Sequence, residues 1–171
     1  MRENMLVDLR RVTGEAGLRE LLEVAVADAT PEETMPPVEG GPGWNEDKRR
    51  AFMAFFLEML GSPESAIYTI TVDGAVAGFM RLKRMPDEGA AETGMWLGRS
   101  HRGKGIGALA FEKLLREAAR QGYARVVADT TPENVAAQGV LRRGGARTRA
   151  GGGKIYAEIT IDPAYAPDVD K

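Results

Sequence analysis

Hydrophobic positions in the first quarter of the chain follow first a strand pattern and then a helical one. MLVDLRRVT at residues 5–13 predicts a first strand, and apolar residues then recur at helical spacing over residues 18–26. Thr13 is the predicted N-cap of this helix. The segment TPEETMPPVEGGPGW at residues 30–44 is rich in proline and glycine and therefore predicts a loop.

The middle of the chain predicts a second helix followed by a hairpin. A phenylalanine-rich apolar stripe predicts a helix from about Asn45 to Leu60, ending at Gly61. Residues 66–84 form two β-type runs separated by Asp-Gly at positions 73 and 74, and this pair of residues is the strongest short signal for a hairpin.

The second half of the chain alternates strands and helices. The predicted elements are a strand at 92–98, a helix at 106–118, a strand at 123–130, a short helix at 131–145 and one or two strands at 147–161. Gly122 is the predicted left-handed cap of the first of these helices, and Thr131 is the predicted N-cap of the second. The order β-α-α-β-β-β-α-β-α-β(β) predicts a mixed α/β fold.

Composition narrows the functional classes. The chain has 171 residues, which predicts a single domain over residues 1–162 with a C-terminal tail at 163–171. Its 23 basic and 25 acidic residues give a net charge of −2, which disfavours nucleic acid as a partner. The absence of cysteine excludes disulfides and thiolate metal sites, and we expect no metal. No signal peptide or membrane span is recognisable, so a cytoplasmic protein is expected.

The segment WLGRSHRGKGIGA at residues 96–108 partly fits three phosphate-binding loops. A triphosphate loop requires Ser or Thr where Gly105 stands, and its Mg²⁺ ligand is therefore missing. A dinucleotide fingerprint fits Gly103, Gly105 and Ala108, but about sixty residues after it are too few for the half-fold that completes such a site. The third pattern, [QR]-x-x-G-x-[GA], is typical of acyltransferases that hold coenzyme A.

The glycines and basic residues of the third pattern are suited to binding a diphosphate. Backbone N–H groups at the start of a helix form an anion nest, and glycine lets the backbone approach a diphosphate closely. Arg102 and Lys104 add positive charge around it. A plain strand-to-helix turn with solvated basic residues is the remaining alternative.

Three stretches of the sequence resemble the GNAT family of N-acetyltransferases. RGKGIG at 102–107 resembles motif A of that family, DTTPENVAAQGVLRRGGA at 129–146 the segment after it, and ETGMWL at 92–97 the strand before it. The resemblance covers about residues 65–160. It implies the GNAT-type acyl-CoA N-acyltransferase fold and acetyl-coenzyme A as co-substrate.

The resemblance also implies which residues hold the cofactor. The strand before motif A would diverge from the next parallel strand, and its backbone would pair with the pantetheine arm at Trp96, Leu97 and Gly98. The pyrophosphate would be held by Arg102, Gly103, Lys104, Gly105, Ile106, Gly107 and Ala108. Asn134 would contact the cofactor or fix the turn beside it, and a purely structural role in the first turn of the helix is the alternative.

The chemistry of the reaction requires a proton acceptor. An alkylamine has a pKa of about 10.4 and is mostly protonated at neutral pH, so its proton must be removed before attack on a thioester. The resemblance makes Glu92 the candidate base, and an exposed acid at the strand end is the alternative. Without cysteine, direct attack in a ternary complex is favoured over a covalent route.

The candidate general acid departs from the family pattern. Many members carry a Tyr at the position of Leu141, and some ribosomal-protein acetyltransferases carry a Ser at that of Ala137. This departure leaves the general acid unassigned; Tyr156 and Ser100 are the fallback candidates, and a structural role is the alternative for each. His101, the one histidine, is expected to be a solvated neighbour of the phosphates.

An acidic segment suggests the acceptor. Residues 28–47 contain six acids and no basic residue, which favours a small cationic amine such as an aminoglycoside or a polyamine. The candidate substrate-binding residues are Glu32, Glu33, Glu39 and Trp44. The alternative for the acids is that they lie in a solvated loop without binding an acceptor. The alternative for Trp44 is that it anchors the second helix. A ribosomal-protein or peptide N-terminal acetyltransferase and a non-catalytic acyl-CoA sensor are the alternative functions. We expect no nucleic-acid or membrane partner, and both a monomer and a homodimer remain open.

Overall fold

The computed structural model describes residues 5–162 and Ala164. The elements in chain order are β1 (Val7–Arg11), α1 (Glu15–Asp28), α2 (Pro31–Thr34), α3 (Glu46–Leu60), β2 (Ser65–Val72), β3 (Ala75–Arg84), β4 (Ala90–Leu97), α4 (Ile106–Arg120), β5 (Arg125–Thr130), α5 (Val135–Arg143), β6 (Arg147–Gly151) and β7 (Lys154–Thr160). A single 3-10 turn at Arg99–His101 lies between β4 and α4. The predicted order is confirmed, with α2 as an addition. Apart from Ala164, the predicted tail at 163–171 lies outside the described residues.

The strands form a mixed sheet in the order β1-β2-β3-β4-β5-β7-β6. β4 and β5 are parallel, whereas β1 pairs antiparallel with β2, and β7 pairs antiparallel with both β5 and β6. The expected mixed α/β fold is therefore confirmed. By its contacts the chain divides into two compact units, one of residues up to Arg81 with Met95–Ile106, and one of Leu82–Gly94 with the residues from Gly107 onward. The single domain stays a prediction.

The first unit is built around the two long helices α1 and α3. Their apolar stripes are buried as predicted, and aromatic rings form the centre of the core, with Phe52 and Phe56 at 4.4 Å and Phe56 and Phe79 at 5.0 Å between ring centroids. α1 begins one residue later than expected, because Gly14 and not Thr13 is its N-cap, without a side-chain hydrogen bond. Asn45 caps α3 by accepting the N–H of Lys48.

The loop predicted at residues 30–44 is wrong in its first part, where α2 forms. Pro31 occupies the first helical position, where a missing N–H has no cost, and Glu33 Oε1 accepts the N–H of Thr30 at 2.8 Å. The sequence T-P-E-E therefore carries the signature of a helix start, although the helix has only one turn. Beyond α2, the buried ammonium of Lys48 donates to the carbonyls of Gly41 and Gly43 and holds the glycine-rich remainder in place.

The hairpin prediction is confirmed at Asp73 and Gly74, which have φ values of 50° and 85°. Both are left-handed, as a two-residue turn with a type I′ backbone requires. Gly122 has a φ of 86° after α4 and is the predicted left-handed residue. The final turn between β6 and β7 uses Gly152 and Gly153, so the C-terminal part contains two strands.

Gly78 allows β3 to approach the end of β4 closely. A Cβ at this position would collide with the backbone carbonyl of Trp96 and lie 3.0 Å from Leu97 Cα. Because backbone atoms cannot turn aside, we expect Gly78→Ala to lower the free energy of unfolding by about 1–3 kcal/mol. Urea unfolding followed by tryptophan fluorescence measures the change. Gly139→Ala, in open space within α5, is the control and is expected to be neutral or stabilising; equal stability of the two variants would contradict the prediction.

Candidate active site

The glycines of the loop between β4 and α4 have the backbone shape of an anion nest. Gly103 and Gly105 have φ values of 73° and 82°, whereas Lys104 between them has a negative φ, since Asp73 is the one described non-glycine residue with a positive value. Alternation of this kind turns successive N–H groups toward one side. α4 then begins at Ile106 with no acidic residue in its first turn. The space beside both glycines is open, so the loop fits a diphosphate.

The guanidinium of Arg102 contacts the carbonyl of Leu97 and the carboxylate of Glu33. Its Nε and Nη2 donate to the carbonyl of Leu97 at 3.0 and 2.8 Å, and its Nη1 lies 2.7 Å from Glu33 Oε2. The arginine therefore braces the segment before the nest, in addition to any contribution of its backbone to anion binding. These contacts use three of its five N–H donors, and the expectation that its side chain surrounds the pyrophosphate stays a prediction.

The end of β4 also has some of its backbone groups engaged. Gly98 N–H donates to the carbonyl of Ala77 at 2.8 Å, and the Leu97 carbonyl accepts a hydrogen bond from the Arg102 side chain. Trp96 is buried, with its ring 6.3 Å from that of Phe79, and its Nε1 has no hydrogen-bond partner among the described residues. Of the three residues expected to pair with pantetheine, Leu97 and Gly98 each therefore have one backbone group in use.

The parallel ladder between β4 and β5 is short. It joins Ala90 to Arg125, Ala91 to Val126 and Glu92 to Val127, and no further pair between the two strands follows among the described residues. β4 nevertheless continues to Leu97 and β5 to Thr130. The described ladder therefore ends at Glu92, and the divergence of the two strands that the resemblance implies stays a prediction.

A cavity of about 440 Å³ lies in the second unit and brings together the two candidate catalytic residues. Its volume is in the range of small-ligand sites. Both Glu92 and Tyr156 line it. The other lining residues are Met85, Val127, Ala128, Asp129, Arg147, Thr148, Arg149, Ala157 and Glu158.

The strand register explains why these side chains meet. Residues paired across a ladder point to the same face of a sheet, and so do residues two apart on one strand. Glu92 pairs with Val127, Val127 with Glu158, and Glu158 with Arg147, which gives one row across β4, β5, β7 and β6. The next row holds three residues, Asp129, Tyr156 and Arg149.

The aromatic ring of Tyr156 carries a cation on its face. The Arg149 guanidinium carbon lies 4.6 Å from the ring centroid, within the range of a cation–π contact. Asp129, in the same row, accepts from Lys154 Nζ at 3.5 Å. The cavity thus contains carboxylates that can accept a proton and a phenol that can donate one, together with cations.

Asn134 is the N-cap of α5. Its Oδ1 accepts the N–H of Ala137 at 3.1 Å, and the helix begins at Val135. The predicted N-cap at Thr131 is therefore wrong, because the carbonyl of that residue accepts the N–H of Asn134 in a turn before the helix. The hydrogen bond that Asn134 Oδ1 accepts from Ala137 N–H is the purely structural role expected as the alternative for Asn134. A further role at the cofactor stays a prediction.

Two acids of the segment 28–47 contact the loop between β4 and α4, and the role of Glu33 in acceptor binding stays a prediction. Asp28 accepts from Ser100 through the backbone N–H at 3.0 Å and through the hydroxyl at 2.6 Å, and Glu33 is paired with Arg102. The Ser100 hydroxyl is therefore committed to Asp28, which disfavours it as the fallback general acid.

Both carboxylates are shifted toward the charged form. The hydroxyl of Ser100 lowers the pKa of Asp28, and its burial, which acts in the opposite direction, is outweighed. Burial raises the pKa of Glu33, but the hydrogen bonds from Arg102 and Thr30 lower it by a larger amount. The pKa of Glu33 is therefore below its ordinary value.

The remaining candidate acceptor residues differ in exposure. Glu32 and Glu39 are exposed. Trp44 is half-buried, its Nε1 donates to the Ala29 carbonyl at 3.0 Å, and its ring meets Phe52 edge-on. It therefore anchors α3, and stacking on a sugar ring stays a prediction.

Acid is expected to remove the stabilisation that Asp28 provides. A carboxylate whose pKa is lower in the folded state contributes stability above its unfolded pKa, and that contribution is lost as pH falls through the folded pKa. We expect the free energy of unfolding to fall less steeply between about pH 5 and about pH 2 in Asp28→Asn than in the wild type. Urea unfolding across this range measures the slope. Asp47→Asn is the control; a wild-type slope in Asp28→Asn would contradict the prediction.

Several residues of the cavity were missed from the sequence. Arg147 and Arg149 on β6 and Glu158 on β7 line it. The sequence indicated only that alternation in RTRAG places the two arginines on the same face of their strand. Asp28 was counted as one acid among six, and nothing in the sequence indicated that it accepts from Ser100.

Among residues 5–162 and 164, no group of three or more His, Cys, Asp or Glu side chains is placed to hold a metal ion. None of the helices in that part of the chain combines the length and the apolar character required to cross a bilayer.

Comparison with known proteins identifies the family. A family model described as the acetyltransferase (GNAT) family matches residues 20–145. No curated protein matches the chain significantly. Among solved structures, RimL, a ribosomal alpha-N-protein acetyltransferase in complex with coenzyme A, has a TM-score of 0.69 and 21% identity, with 92% of this chain and 95% of that chain covered. RimJ of Mycobacterium smegmatis, with a coenzyme A disulfide, has a TM-score of 0.68 and 19% identity, with 90% and 81% covered. The GNAT domain of S. lividans PAT has a TM-score of 0.69 and 15% identity, with 90% of each chain covered. The chain therefore belongs to the GNAT family and is an acetyltransferase that uses acetyl-coenzyme A.

Proposed function

We propose that this protein transfers an acetyl group from acetyl-coenzyme A to a primary amine bound in the cavity, with Glu92 as the proton acceptor. One observation supports this above all: Glu92 is in the last residue pair of the β4–β5 ladder and also lines the cavity. A base at this point stands at the end of the β4–β5 ladder.

The residues of the cavity have complementary roles in the proposed reaction. Bound acetyl-coenzyme A supplies the activated acyl group. The Glu92 carboxylate accepts a proton from the acceptor ammonium, directly or through water, because only the neutral amine is nucleophilic. Tyr156 Oη is the proposed donor of a proton to the departing sulfur, and Arg149 on its ring face keeps the phenol in place.

The loop before α4 is the proposed diphosphate site. The N–H groups at Gly103, Lys104, Gly105 and Ile106 are its proposed donors, supported by the alternating backbone conformation. Gly107 and Ala108, in the first turn of α4, keep that turn free of bulky side chains. Arg102 acts in this proposal by bracing the Leu97 carbonyl, and its charge is partly offset by Glu33.

For the acceptor we propose the N-terminal amine of a protein or peptide. The fold shared with RimL supports this class, because RimL is a ribosomal L7/L12 alpha-N-protein acetyltransferase. A small cationic amine, an aminoglycoside or a polyamine, is the second candidate. It is supported by Glu32 and Glu39, which stay exposed, whereas Asp28 and Glu33 have partners in the loop.

Release of coenzyme A thiol tests the function. The full chain is incubated with acetyl-coenzyme A and, separately, with peptides carrying a free N-terminus, the same peptides with a blocked N-terminus, spermidine and kanamycin. We expect turnover with free peptides and none with blocked ones. Turnover with spermidine or kanamycin alone would favour the second candidate. Coenzyme A binding in calorimetry without turnover of any amine would favour a non-catalytic sensor.

A further inference from the structure

The far end of the cavity from Glu92 is formed by two arginines. Arg147 and Arg149 are two apart on β6, so both point to the face of the sheet that the cavity occupies. β6 is the last strand in the order, and its side chains are exposed. The cavity is therefore bounded by a carboxylate at one end and by two guanidinium groups at the other.

Neither arginine has an acidic partner within the described part of the chain. Arg149 lies over the ring of Tyr156, which leaves the edge of its guanidinium available for hydrogen bonds. Arg147 stands opposite Glu158 in the register, but the ion pair of Glu158 is with Arg125, at 3.8 Å. Two guanidinium groups thus line a space large enough for a ligand.

The acids between the two ends do not cancel this charge. Asp129 is paired with Lys154, and Glu158 with Arg125. Taken together, these two pairs are neutral, so Arg147 and Arg149 leave a net positive charge at the β6 end. Arginine is suited to this task because its planar fork of donors matches the geometry of a carboxylate.

We propose that Arg147 and Arg149 bind an acidic side chain of the acceptor, so that this enzyme prefers peptides with Asp or Glu shortly after the N-terminus. The proposal rests on the proposed function and names the substrate class of the same cavity. It also runs against the cationic acceptor that the sequence favoured.

The strand spacing indicates where the acidic residue should be. Glu92 and Arg147 are three strands apart in one row, which corresponds to about 14 Å at about 4.8 Å per strand. An extended peptide rises about 3.4 Å per residue and spans this distance with about four residues. Because the arginine side chain reaches inward, the preferred positions are two to four.

The test uses the full chain and three peptides. They share a Ser N-terminus and differ at positions two to four, which are all Asp, all Asn or all Lys. We expect kcat/KM to be at least about tenfold higher for the Asp peptide than for the Lys peptide at low salt, since charge attraction is screened at high salt. The double variant Arg147→Gln, Arg149→Gln should lose this ratio.

Two further variants separate charge from structure. Arg147→Glu with Arg149→Glu should invert the ratio in favour of the Lys peptide, a result that partial unfolding cannot produce. Arg116→Gln, on the exposed surface of α4, is the matched control and should retain the wild-type ratio.

The outcomes distinguish this inference from the function on which it rests. Equal kcat/KM for the three peptides, or an unchanged ratio in the double variant, would overturn the acidic preference and leave peptide acetylation standing. No turnover of any peptide, with coenzyme A still bound, would overturn the peptide acceptor and this inference with it.

Discussion

Replacing Glu92 by Gln is expected to lower kcat about 100-fold, while the Kd for coenzyme A stays within about twofold of the wild-type value. A positioned general base contributes about 10²–10⁴ to a rate, and the amide of Gln cannot accept the proton. Because the substitution keeps the size and shape of the side chain, the fold and the cofactor loop should be unaffected. Thiol release gives kcat, and titration calorimetry with coenzyme A gives the Kd.

The dependence of kcat on pH separates a base from a structural carboxylate. We expect Glu92→Gln to have a changed pH profile, because the group whose deprotonated form is required has been removed. Glu158→Gln is the comparison, since Glu158 stands in the same row of the cavity at the distance of two strands. It should lower kcat by a few-fold at most and keep the profile. Equal losses in both variants, or a wild-type profile in Glu92→Gln, would remove Glu92 as the base.

Elements of the fold were predictable wherever their signal is local. Apolar spacing located α1 and α3, and the Asp73–Gly74 turn located the hairpin, since both depend on neighbours a few residues apart. The helix start was misplaced at Thr13 and at Thr131. At the first position Gly14 is the N-cap without a side-chain hydrogen bond, and at the second the hydrogen bond from Ala137 N–H selects Asn134. Neither outcome is visible in the pattern of residue types.

The cavity could be predicted only in part. The resemblance gave Glu92, Tyr156 was a fallback candidate, and the structure places both at one cavity. Arg147 and Arg149 could not be found in this way, because their relation to Glu92 depends on β7 lying between β5 and β6. That strand order is a property of the whole sheet, and the alternation within β6 contains no information about it.

The engagement of Arg102 illustrates the same limit at one side chain. The glycines around it were predicted to let the backbone approach a phosphate closely, and Gly103 and Gly105 have left-handed φ values that favour glycine. The partner of its guanidinium is Glu33, which lies about seventy residues earlier and beside the capped start of α2. Because this ion pair depends on a segment distant in sequence, the motif alone could not predict it.

Gly105→Ala is expected to weaken coenzyme A binding about 10- to 100-fold. The φ of 82° at Gly105 places it in the left-handed region, where a Cβ costs about 1–2 kcal/mol. Relief of that strain would rotate the N–H groups of Lys104 and Ile106 away from a common anion, and the Cβ would also occupy the open side of the nest. Calorimetry with coenzyme A measures the Kd, and thermal unfolding measures the accompanying loss of stability.

Gly122→Ala provides the matched control for backbone strain. Gly122 has a φ of 86° with open space around it, and it lies beyond the other end of α4, about 22 Å away along a helix of 15 residues. Both variants should therefore lose similar stability, whereas only Gly105→Ala should lose affinity for coenzyme A. Because the strain is the same in both, a difference in Kd reports the nest alone. Wild-type affinity in Gly105→Ala, or an equal loss in both variants, would show that the amides at this loop do not bind the diphosphate.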